Sequence, residues 1–163
     1  MNIRSVSAKD ADALVTIYNH YINETVITFE TTAISAVEML TRINNIQDLR
    51  LPYLVAENEQ GELVGYAYAN LFKERFAYRH SVEVTVYLAP ESSGNGIGSQ
   101  LYQALFAMLK KSDVHVIIAG ITLPNAASVA LHEKFSMEKV AHFNEVGFKF
   151  GQWLDVGYWQ RIL

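Results

Sequence analysis

Residues 82–105 combine two kinds of residue that group-transfer chemistry uses. Glu83 lies inside the apolar run VEVTVYL, eleven residues before the first glycine of the loop SSGNGIGS, in which Gly94, Gly96 and Gly98 occupy every second position. A glycine-rich loop between a strand and a helix offers backbone N–H groups and a helix N-terminus to a phosphate. A flexible surface turn can have the same composition, so the loop alone leaves both interpretations open.

The loop departs from two common nucleotide-binding motifs. A dinucleotide-binding loop has a third glycine where Ser99 stands here, and an acid at the end of the next strand, where this chain has Gly120-Ile121-Thr122. A Walker A loop needs Gly-Lys-Ser/Thr, which is absent. Other carriers of a diphosphate therefore remain, and coenzyme A is among them.

Glu83 is the candidate general base. Side chains alternate along a strand, so Glu83, Thr85 and Tyr87 share one face and the intervening valines the other. A carboxylate in apolar surroundings has a raised pKa, which suits a base that works near neutral pH. The alternative is a solvated glutamate on a half-exposed sheet.

The segment KERFAYRH could bind an acidic substrate. Lys73 and Arg75 carry positive charge and Tyr78 adds an aromatic hydroxyl. Such a set suits a carboxylate, a phosphinate or a sulfone oxygen. A solvated basic loop, common on any surface, is the alternative.

His132 follows Asn125 on a short predicted helix. Its imidazole could act as an acid or contact the substrate, although a lone helical histidine is as often a surface or packing residue. Asn125 is placed to cap the helix.

The elements that position these residues follow from hydrophobic periodicity. Strands are expected at residues 2–6, 53–58, 63–72, 82–88 and 114–122, helices at 8–21, 36–46, 97–111 and 126–135, and two final strands joined by a loop at 150–154. Within the second helix, Val37 and Leu40 are expected to point inward, with Ile43 or Ile46. This order predicts an α+β fold with a mixed sheet and helices on both faces.

Composition narrows the class of protein. The chain has 163 residues, half of them hydrophobic, and a net charge of −4, so we expect one domain over residues 1–163 and no nucleic-acid partner. No cysteine is present, which excludes disulfides and thiolate nucleophiles. The five histidines have no metal-binding spacing, and neither a signal peptide nor a membrane-length apolar run occurs, so we expect no metal, no membrane association and a cytoplasmic protein.

Several segments resemble the GNAT superfamily of acyl-CoA N-acyltransferases. S-G-N-G-I-G after a strand looks like its pyrophosphate loop, and it is accompanied by A-Y-R-H-S-V-E-V-T-V-Y-L, by L-P-N-A-A-S-V-A-L-H-E-K and by a closing G-F-K-F-G-Q-W-L-D-V-G-Y-W-Q. The resemblance covers nearly the whole chain. The loop identifies only the superfamily, whereas the other segments resemble the phosphinothricin N-acetyltransferase branch.

This resemblance implies a mostly antiparallel, twisted sheet that splays at its central strands. It implies direct acetyl transfer from acetyl-CoA to the α-amine of a small amino-acid-like substrate of the phosphinothricin, methionine sulfoximine or methionine sulfone type. The alternatives are another small amine, a protein N-terminus, or a non-catalytic acyl-CoA sensor. The family and the aromatic residues Trp153, Tyr158 and Trp159 also suggest a homodimer, with those three in the core or the interface.

The resemblance assigns roles to residues of this chain. Glu83 matches the family's proposed base, acting directly or through a water, and His132 stands where many members have a tyrosine thought to protonate the thiolate. Coenzyme contacts are expected from Val86, Tyr87, Leu88, Ser93, Gly94, Asn95, Gly96, Ile97, Gly98, Ser99 and Asn125. Substrate contacts are expected from Phe29, Glu30, Lys73, Arg75, Tyr78, Thr85 and Tyr87.

The chain departs from the family pattern at two places. Ser93 stands where an arginine or glutamine usually opens the loop, which removes a side-chain contact and keeps the amides. Phe135-Ser136-Met137 replaces a glycine followed by an aromatic residue, which affects a helix C-cap more than the chemistry.

Overall fold

The computed structural model describes all 163 residues. The helices and strands follow the predicted order: β1 (Asn2–Ser5), α1 (Ala11–Glu24), α2 (Ala36–Asp48), β2 (Tyr53–Glu57), β3 (Leu63–Leu71), β4 (Ser81–Leu88), α3 (Ile97–Leu109), β5 (Val116–Leu123), α4 (Ala126–Lys134), β6 (Glu138–Lys149) and β7 (Gln152–Ile162). Short 3-10 helices occupy Ala8–Asp10, Phe76–Tyr78 and Pro90–Ser92. No helix has the length and apolar character that would let it cross a membrane.

Side-chain caps fix the helix starts that the sequence predicts. The Ser7 backbone N–H donates to Asp10 Oδ2 at 2.7 Å, which starts the 3-10 helix ahead of α1. Ser35 Oγ accepts from the Glu38 N–H at 3.1 Å at the start of α2. In both places a polar oxygen satisfies an amide that the first helical turn leaves unpaired.

The prediction for the buried face of α2 is partly wrong. Val37 is 75 % exposed, whereas Met39, Ile43 and Ile46 are buried. These three follow the spacing i, i+4, i+7 of one helical face, and Val37 lies outside that stripe.

Seven strands form one sheet in the order β1-β2-β3-β4-β5-β7-β6. The registers of β1 with β2, β2 with β3, β5 with β7 and β6 with β7 are antiparallel, and Ser81–Glu83 of β4 pairs in parallel with Val116–Ile118 of β5. The predicted mixed, mostly antiparallel α+β fold is confirmed. The splaying of its central strands stays a prediction.

Contacts divide the chain into two compact units whose segments interleave along the sequence. Unit 1 consists of residues 1–19, 34–70 and 84–113, and unit 2 of residues 20–33, 71–83 and 114–163. Because each unit draws on three segments, neither is a contiguous domain. The single-domain interpretation stays a prediction.

In unit 1, helices cover both faces of the sheet. A Cβ placed on Gly65 of β3 would lie 3.4 Å from Leu101 of α3. The next side chain, Tyr66, has its ring centroid 5.6 Å from that of Tyr87, whose ring meets Tyr18 of α1 at 5.2 Å. Since successive strand residues point to opposite faces, α3 and α1 lie on opposite sides of β3.

In unit 2, α4 packs against β7. Trp159 is 2 % exposed and its indole N–H donates to Glu133 Oε1 at 3.4 Å, while Arg161 donates to the Phe135 carbonyl at 2.8 Å. Trp153, at the other end of β7, is 63 % exposed. The two tryptophans therefore differ in role, one in the core and one on the surface.

Candidate active site

The glycine loop of unit 1 has the backbone that an anion site requires. Gly94 and Gly96 have φ angles of +82° and +75°, in the left-handed region, and a Cβ on either would meet nothing within 4 Å. Ser93, Gly94, Asn95 and Gly96 are exposed, Ser99 is half-buried, and Ile97 and Gly98 are buried at the start of α3. The exposed loop backbone is thus open to an approaching ligand.

Gly96 is the N-cap of α3 and supplies no side-chain cap. The N-terminus of a helix carries unpaired N–H groups and a partial positive charge, and both stabilise a phosphate. Loop and helix start together fit a diphosphate such as that of coenzyme A. Backbone amides would bind it, because this loop offers no basic side chain.

The second half of β4 carries the stretch that is predicted to contact the coenzyme. Val86, Tyr87 and Leu88 are half-buried. The Tyr87 ring lies between Tyr18 and Tyr66, which fixes its position. Their contacts with a coenzyme stay predictions.

The first half of β4 carries Glu83, and it belongs to unit 2. Val82 and Val84 are buried at 0 % and 3 % exposure, whereas Glu83 and Thr85 are half-buried, as the alternation predicts. Burial raises the pKa of the Glu83 carboxyl. That shift has the direction a working base requires.

Glu83 lies beside Gly120 of β5. A Cβ on Gly120 would lie 3.5 Å from Glu83 Oε1 and 3.2 Å from Tyr158 Cε1, and Gly120 itself is exposed. Burial and the nearby charge of Glu83 raise the pKa of the Tyr158 hydroxyl. Glu83, Gly120 and Tyr158 therefore lie together, and the exposed Gly120 has no side chain that would cover the carboxylate.

Tyr158 is the residue of this group that the sequence analysis placed elsewhere, in the core or an interface. Its position results from the β5–β7 register, which pairs Gly120 with Tyr158. Gly120 itself was a usable signal, because a glycine inside an apolar strand often marks a close approach or a ligand.

His132 is held in one tautomer. It is 4 % exposed, and its Nδ1 lies 2.7 Å from the Ser128 carbonyl oxygen. A carbonyl can only accept, so Nδ1 carries the proton and Nε2 of the neutral ring is an acceptor. Burial lowers the pKa of His132, so near neutral pH the ring is largely uncharged and offers no second proton. Asn125 caps the same helix through Oδ1, which accepts from the Ser128 N–H at 3.1 Å.

The predicted basic patch contains one close cluster. Lys73 Nζ lies 5.4 Å from the ring centroid of Phe72 and 5.7 Å from that of Tyr78. Lys73 and Arg75 are exposed, and Arg75 begins the short helix that carries Tyr78. The segment between β3 and β4 therefore carries two positively charged side chains and a phenol.

The loop with Phe29 and Glu30 is held by β6. A Cβ on Gly147 would overlap the Phe29 ring, so glycine is required for this packing. Lys149 is 3 % exposed, and its Nζ donates to the Thr28 carbonyl at 2.8 Å. Burial lowers the pKa of Lys149. Gly147 and Lys149 thus position a loop that sequence patterns left without anchors.

No cluster of three or more His, Cys, Asp or Glu side chains is arranged to hold a metal ion. The predicted site residues form local groups: the glycine loop with the start of α3, Glu83 with Gly120 and Tyr158, Lys73 with Tyr78, and Phe29 with β6.

Comparisons with known proteins give matches over nearly the whole chain. The profile of the acetyltransferase (GNAT) domain family matches residues 3–157. A phosphinothricin N-acetyltransferase of Streptomyces coelicolor is 38 % identical over 100 % of this chain and 96 % of its own length. An L-methionine sulfoximine/L-methionine sulfone acetyltransferase of Salmonella typhimurium is 34 % identical over 100 % and 95 %. A crystal structure of a GNAT superfamily phosphinothricin acetyltransferase of Sinorhizobium meliloti in complex with AcCoA superimposes with a TM-score of 0.97, at 37 % identity, over 99 % of this chain and 88 % of that one.

Proposed function

The chain belongs to the GNAT acetyltransferase family, and from that premise we propose that it transfers an acetyl group from acetyl-CoA to the α-amine of a small amino-acid-like acceptor. The acceptor is of the phosphinothricin, methionine sulfoximine or methionine sulfone type. The observation that carries this proposal is the half-buried Glu83, whose pKa is raised, beside the exposed Gly120.

The coenzyme would be held by the loop Ser93–Ser99, with backbone contacts from Val86–Leu88 and a side-chain contact from Asn125. Bound acetyl-CoA supplies the thioester carbonyl that the amine attacks. The positive φ angles of Gly94 and Gly96 support this assignment, because glycine adopts them at little cost and leaves the exposed backbone without a Cβ. By family resemblance, a backbone N–H of the β4 stretch stabilises the oxyanion.

Glu83 accepts the proton that the acceptor ammonium loses, directly or through one water. Only the free amine has the lone pair that forms the new bond, so this step precedes or accompanies attack. A carboxylate whose pKa is raised by burial competes better for that proton than an exposed one. The chain has no cysteine for an acetyl-enzyme, which favours direct attack in a ternary complex.

The proton for the leaving thiolate has two candidate donors. His132 matches the family position, but its Nδ1 proton is already donated to the Ser128 carbonyl. The Tyr158 hydroxyl keeps its proton at neutral pH and lies near Glu83. His132→Phe and Tyr158→Phe separate the two, since loss of the residue that protonates the thiolate lowers kcat and loss of the other does not.

The acceptor's acidic end is assigned to Lys73, Arg75 and Tyr78, with Thr85 and Tyr87 on β4. Phe29 and Glu30 form the facing wall. The exposed Lys73 ammonium and Arg75 guanidinium can bind a carboxylate or a phosphinate oxygen of the acceptor through charge-assisted hydrogen bonds.

The deciding experiment is an acceptor panel assayed by thiol release from acetyl-CoA. Phosphinothricin, methionine sulfoximine, methionine sulfone, free amino acids and a peptide with a free N-terminus are compared at equal concentration. Turnover of the first three above the peptide is expected. A peptide-only activity would contradict the proposed acceptor class.

The role of Glu83 is tested with Glu83→Gln. We expect kcat to fall about 10²–10⁴-fold, the usual contribution of a general base, while coenzyme binding persists. In the native enzyme, kcat/KM should fall as the pH is lowered through the raised pKa of Glu83. Unchanged turnover in the variant would remove the base assignment, and absence of turnover in both proteins would point to an acyl-CoA sensor.

We also propose that the protein is a homodimer that buries an apolar patch on β6 and β7. The patch is formed by exposed side chains of β6, the β6–β7 turn and β7, Phe143, Val146, Phe148, Phe150 and Trp153, and the Phe148 and Trp153 rings are 4.7 Å apart. Single exposed apolar residues are ordinary, but several on one hairpin favour association. Light scattering coupled to size exclusion should give a dimer for the native chain and a monomer for Trp153→Ser.

A further inference from the structure

We propose that a cavity in unit 1 binds a small aromatic carboxylate. The cavity has a volume of about 300 Å³ and lies between α1, α2, β2 and β3, where it is lined by Tyr18, Met39, Arg42, Asn45, Ile46, Tyr53, Tyr66, Tyr68 and Asn70. This volume is at the lower end of the range for ligand sites, about 300–1,000 Å³. It suits one ring with a short substituent and is too small for a nucleotide.

The inner part of the cavity is aromatic and apolar. Tyr53, Tyr66, Met39 and Ile46 are all less than 5 % exposed. The rings of Tyr66 and Tyr68 are parallel within 8°, and Tyr53 and Tyr66 are stacked at 5.9 Å. Parallel ring faces, together with a thioether, provide favourable contacts for another planar ring.

The outer part of the cavity is polar and carries one ion pair. Asn45 and Asn70 are exposed, and Arg42 is the one charged residue among the nine that line the cavity. The Arg42 guanidinium carbon lies 5.8 Å from the Tyr18 ring centroid, and Nε donates to the Glu38 carboxylate at 2.9 Å in a salt bridge, which orients the group. Because a guanidinium has five N–H donors, Arg42 can bind a ligand carboxylate in addition to that of Glu38, and the anionic end of the ligand is placed at this side.

The charge of Arg42 also acts on the inner residues. Burial raises the pKa of the Tyr53 hydroxyl well above its ordinary value, and the charge of Arg42 opposes that rise. An ammonium in place of the carboxylate could not accept a hydrogen bond from Arg42. An aromatic amine of the same size is therefore expected to bind more weakly.

The ligand is an aromatic acid that binds without reacting and modulates turnover, a role that rests on the proposed function. An acceptor amino acid does not fit the cavity, because it carries an ammonium and its acidic end is assigned to Lys73, Arg75 and Tyr78. Binding is measured first and turnover second.

Binding is tested by calorimetry on the full chain with phenylacetate, cyclohexylacetate and phenethylamine, without acetyl-CoA. We expect phenylacetate to bind about 10-fold more tightly than phenethylamine, and more tightly than cyclohexylacetate. Arg42→Gln should weaken phenylacetate binding about 10-fold. Lys111→Gln, which removes one exposed positive charge on the same unit away from the cavity, should leave it unchanged.

A second variant tests binding in the cavity without changing its charge. Asn45→Trp places a bulky ring at the rim and should abolish phenylacetate binding, with circular dichroism and thermal unfolding confirming that both variants are folded. The proposal is overturned if phenylacetate does not bind, if phenethylamine binds equally well, or if neither variant weakens binding.

The effect on turnover is measured next, with methionine sulfone as the acceptor. We expect phenylacetate to change the rate of the native chain and to leave the rate of Arg42→Gln unchanged at the same concentration. An unchanged native rate would overturn the modulator role. Because binding is measured without turnover, a failure of the proposed function leaves the cavity result intact.

Discussion

Gly120→Ala tests whether the space beside Glu83 is where the acceptor amine or its water sits. The added methyl carbon would lie 3.5 Å from Glu83 Oε1 and 3.2 Å from Tyr158 Cε1. A catalytic hydrogen bond to the carboxylate needs its partner at about 2.6–3.2 Å, in the volume that the methyl group would fill. We therefore expect kcat/KM for the acceptor to fall about 10²-fold, the effect of a displacement of about 1 Å, which equals about 2.7 kcal/mol.

The fold should tolerate this change. Carbon atoms pack best at about 3.5–4.0 Å, so the Tyr158 ring must move by only a few tenths of an ångström. Alanine is also favoured over glycine inside a strand by about 0.5–1 kcal/mol. The two terms oppose each other, and we expect the free energy of unfolding to change by less than about 1 kcal/mol.

Thiol release at saturating acetyl-CoA with varied acceptor measures the activity, and urea unfolding measures stability. Gly61→Ala is the matched control, because Gly61 lies in the β2–β3 turn with a φ of +80° and no atom within 4 Å of an added Cβ. This control should lose about 1–2 kcal/mol through left-handed strain and keep full kcat/KM. If Gly120→Ala retains activity within about twofold while it folds normally, the assignment of this space is wrong.

Three further predictions concern stability, the acceptor loop and the coenzyme loop. Asp10→Asn should lower the free energy of unfolding at pH 7 by about 2 kcal/mol, because hydrogen bonds from Arg4 lower the pKa of Asp10 to about 2. Because the pKa is lowered, the stabilisation by Asp10 is complete above a pH of about 4 and is lost as the pH falls toward 2. The free energies of unfolding of the two proteins, measured in urea, should therefore converge in acid. Equal free energies at pH 7 would contradict the prediction. Lys149→Met removes the donor to the Thr28 carbonyl. In steady-state assays it should raise KM for the acceptor several-fold and leave KM for acetyl-CoA unchanged. Equal changes in both KM values would show that the loop with Phe29 and Glu30 does not contact the acceptor. Gly96→Ala introduces strain, because the residue has a φ of +75° that alanine adopts at a cost. It should raise KM for acetyl-CoA about 10-fold and change KM for the acceptor little. An unaltered KM for acetyl-CoA would exclude this loop as the diphosphate site.

Features that depend on a few neighbouring residues can be predicted from the sequence. The caps at Ser7, Ser35 and Asn125, the order of strands and helices, and the half-burial of Glu83 between buried valines all follow from local periodicity and hydrogen bonding. The positive φ angles of Gly94 and Gly96 have the same origin, because only a residue without a Cβ adopts them at little cost. Local patterns also carry the family resemblance.

Local patterns were less informative where a helix face had to be chosen. Val37 fits a helical period as well as Met39 does, yet it is exposed, since the buried stripe depends on where α2 meets β2. The tautomer of His132 depends on the Ser128 carbonyl one turn earlier, and its pKa depends on how deeply α4 is buried.

Which residues from distant parts of the sequence share a site depends on the tertiary structure. Tyr158 comes beside Glu83 because the β5–β7 register pairs it with Gly120. The tyrosine-lined cavity is assembled in the same way, from two helices and two strands. The physical reason is that strand register and helix packing are fixed by burial summed over the whole sheet, a quantity that no short stretch of sequence contains.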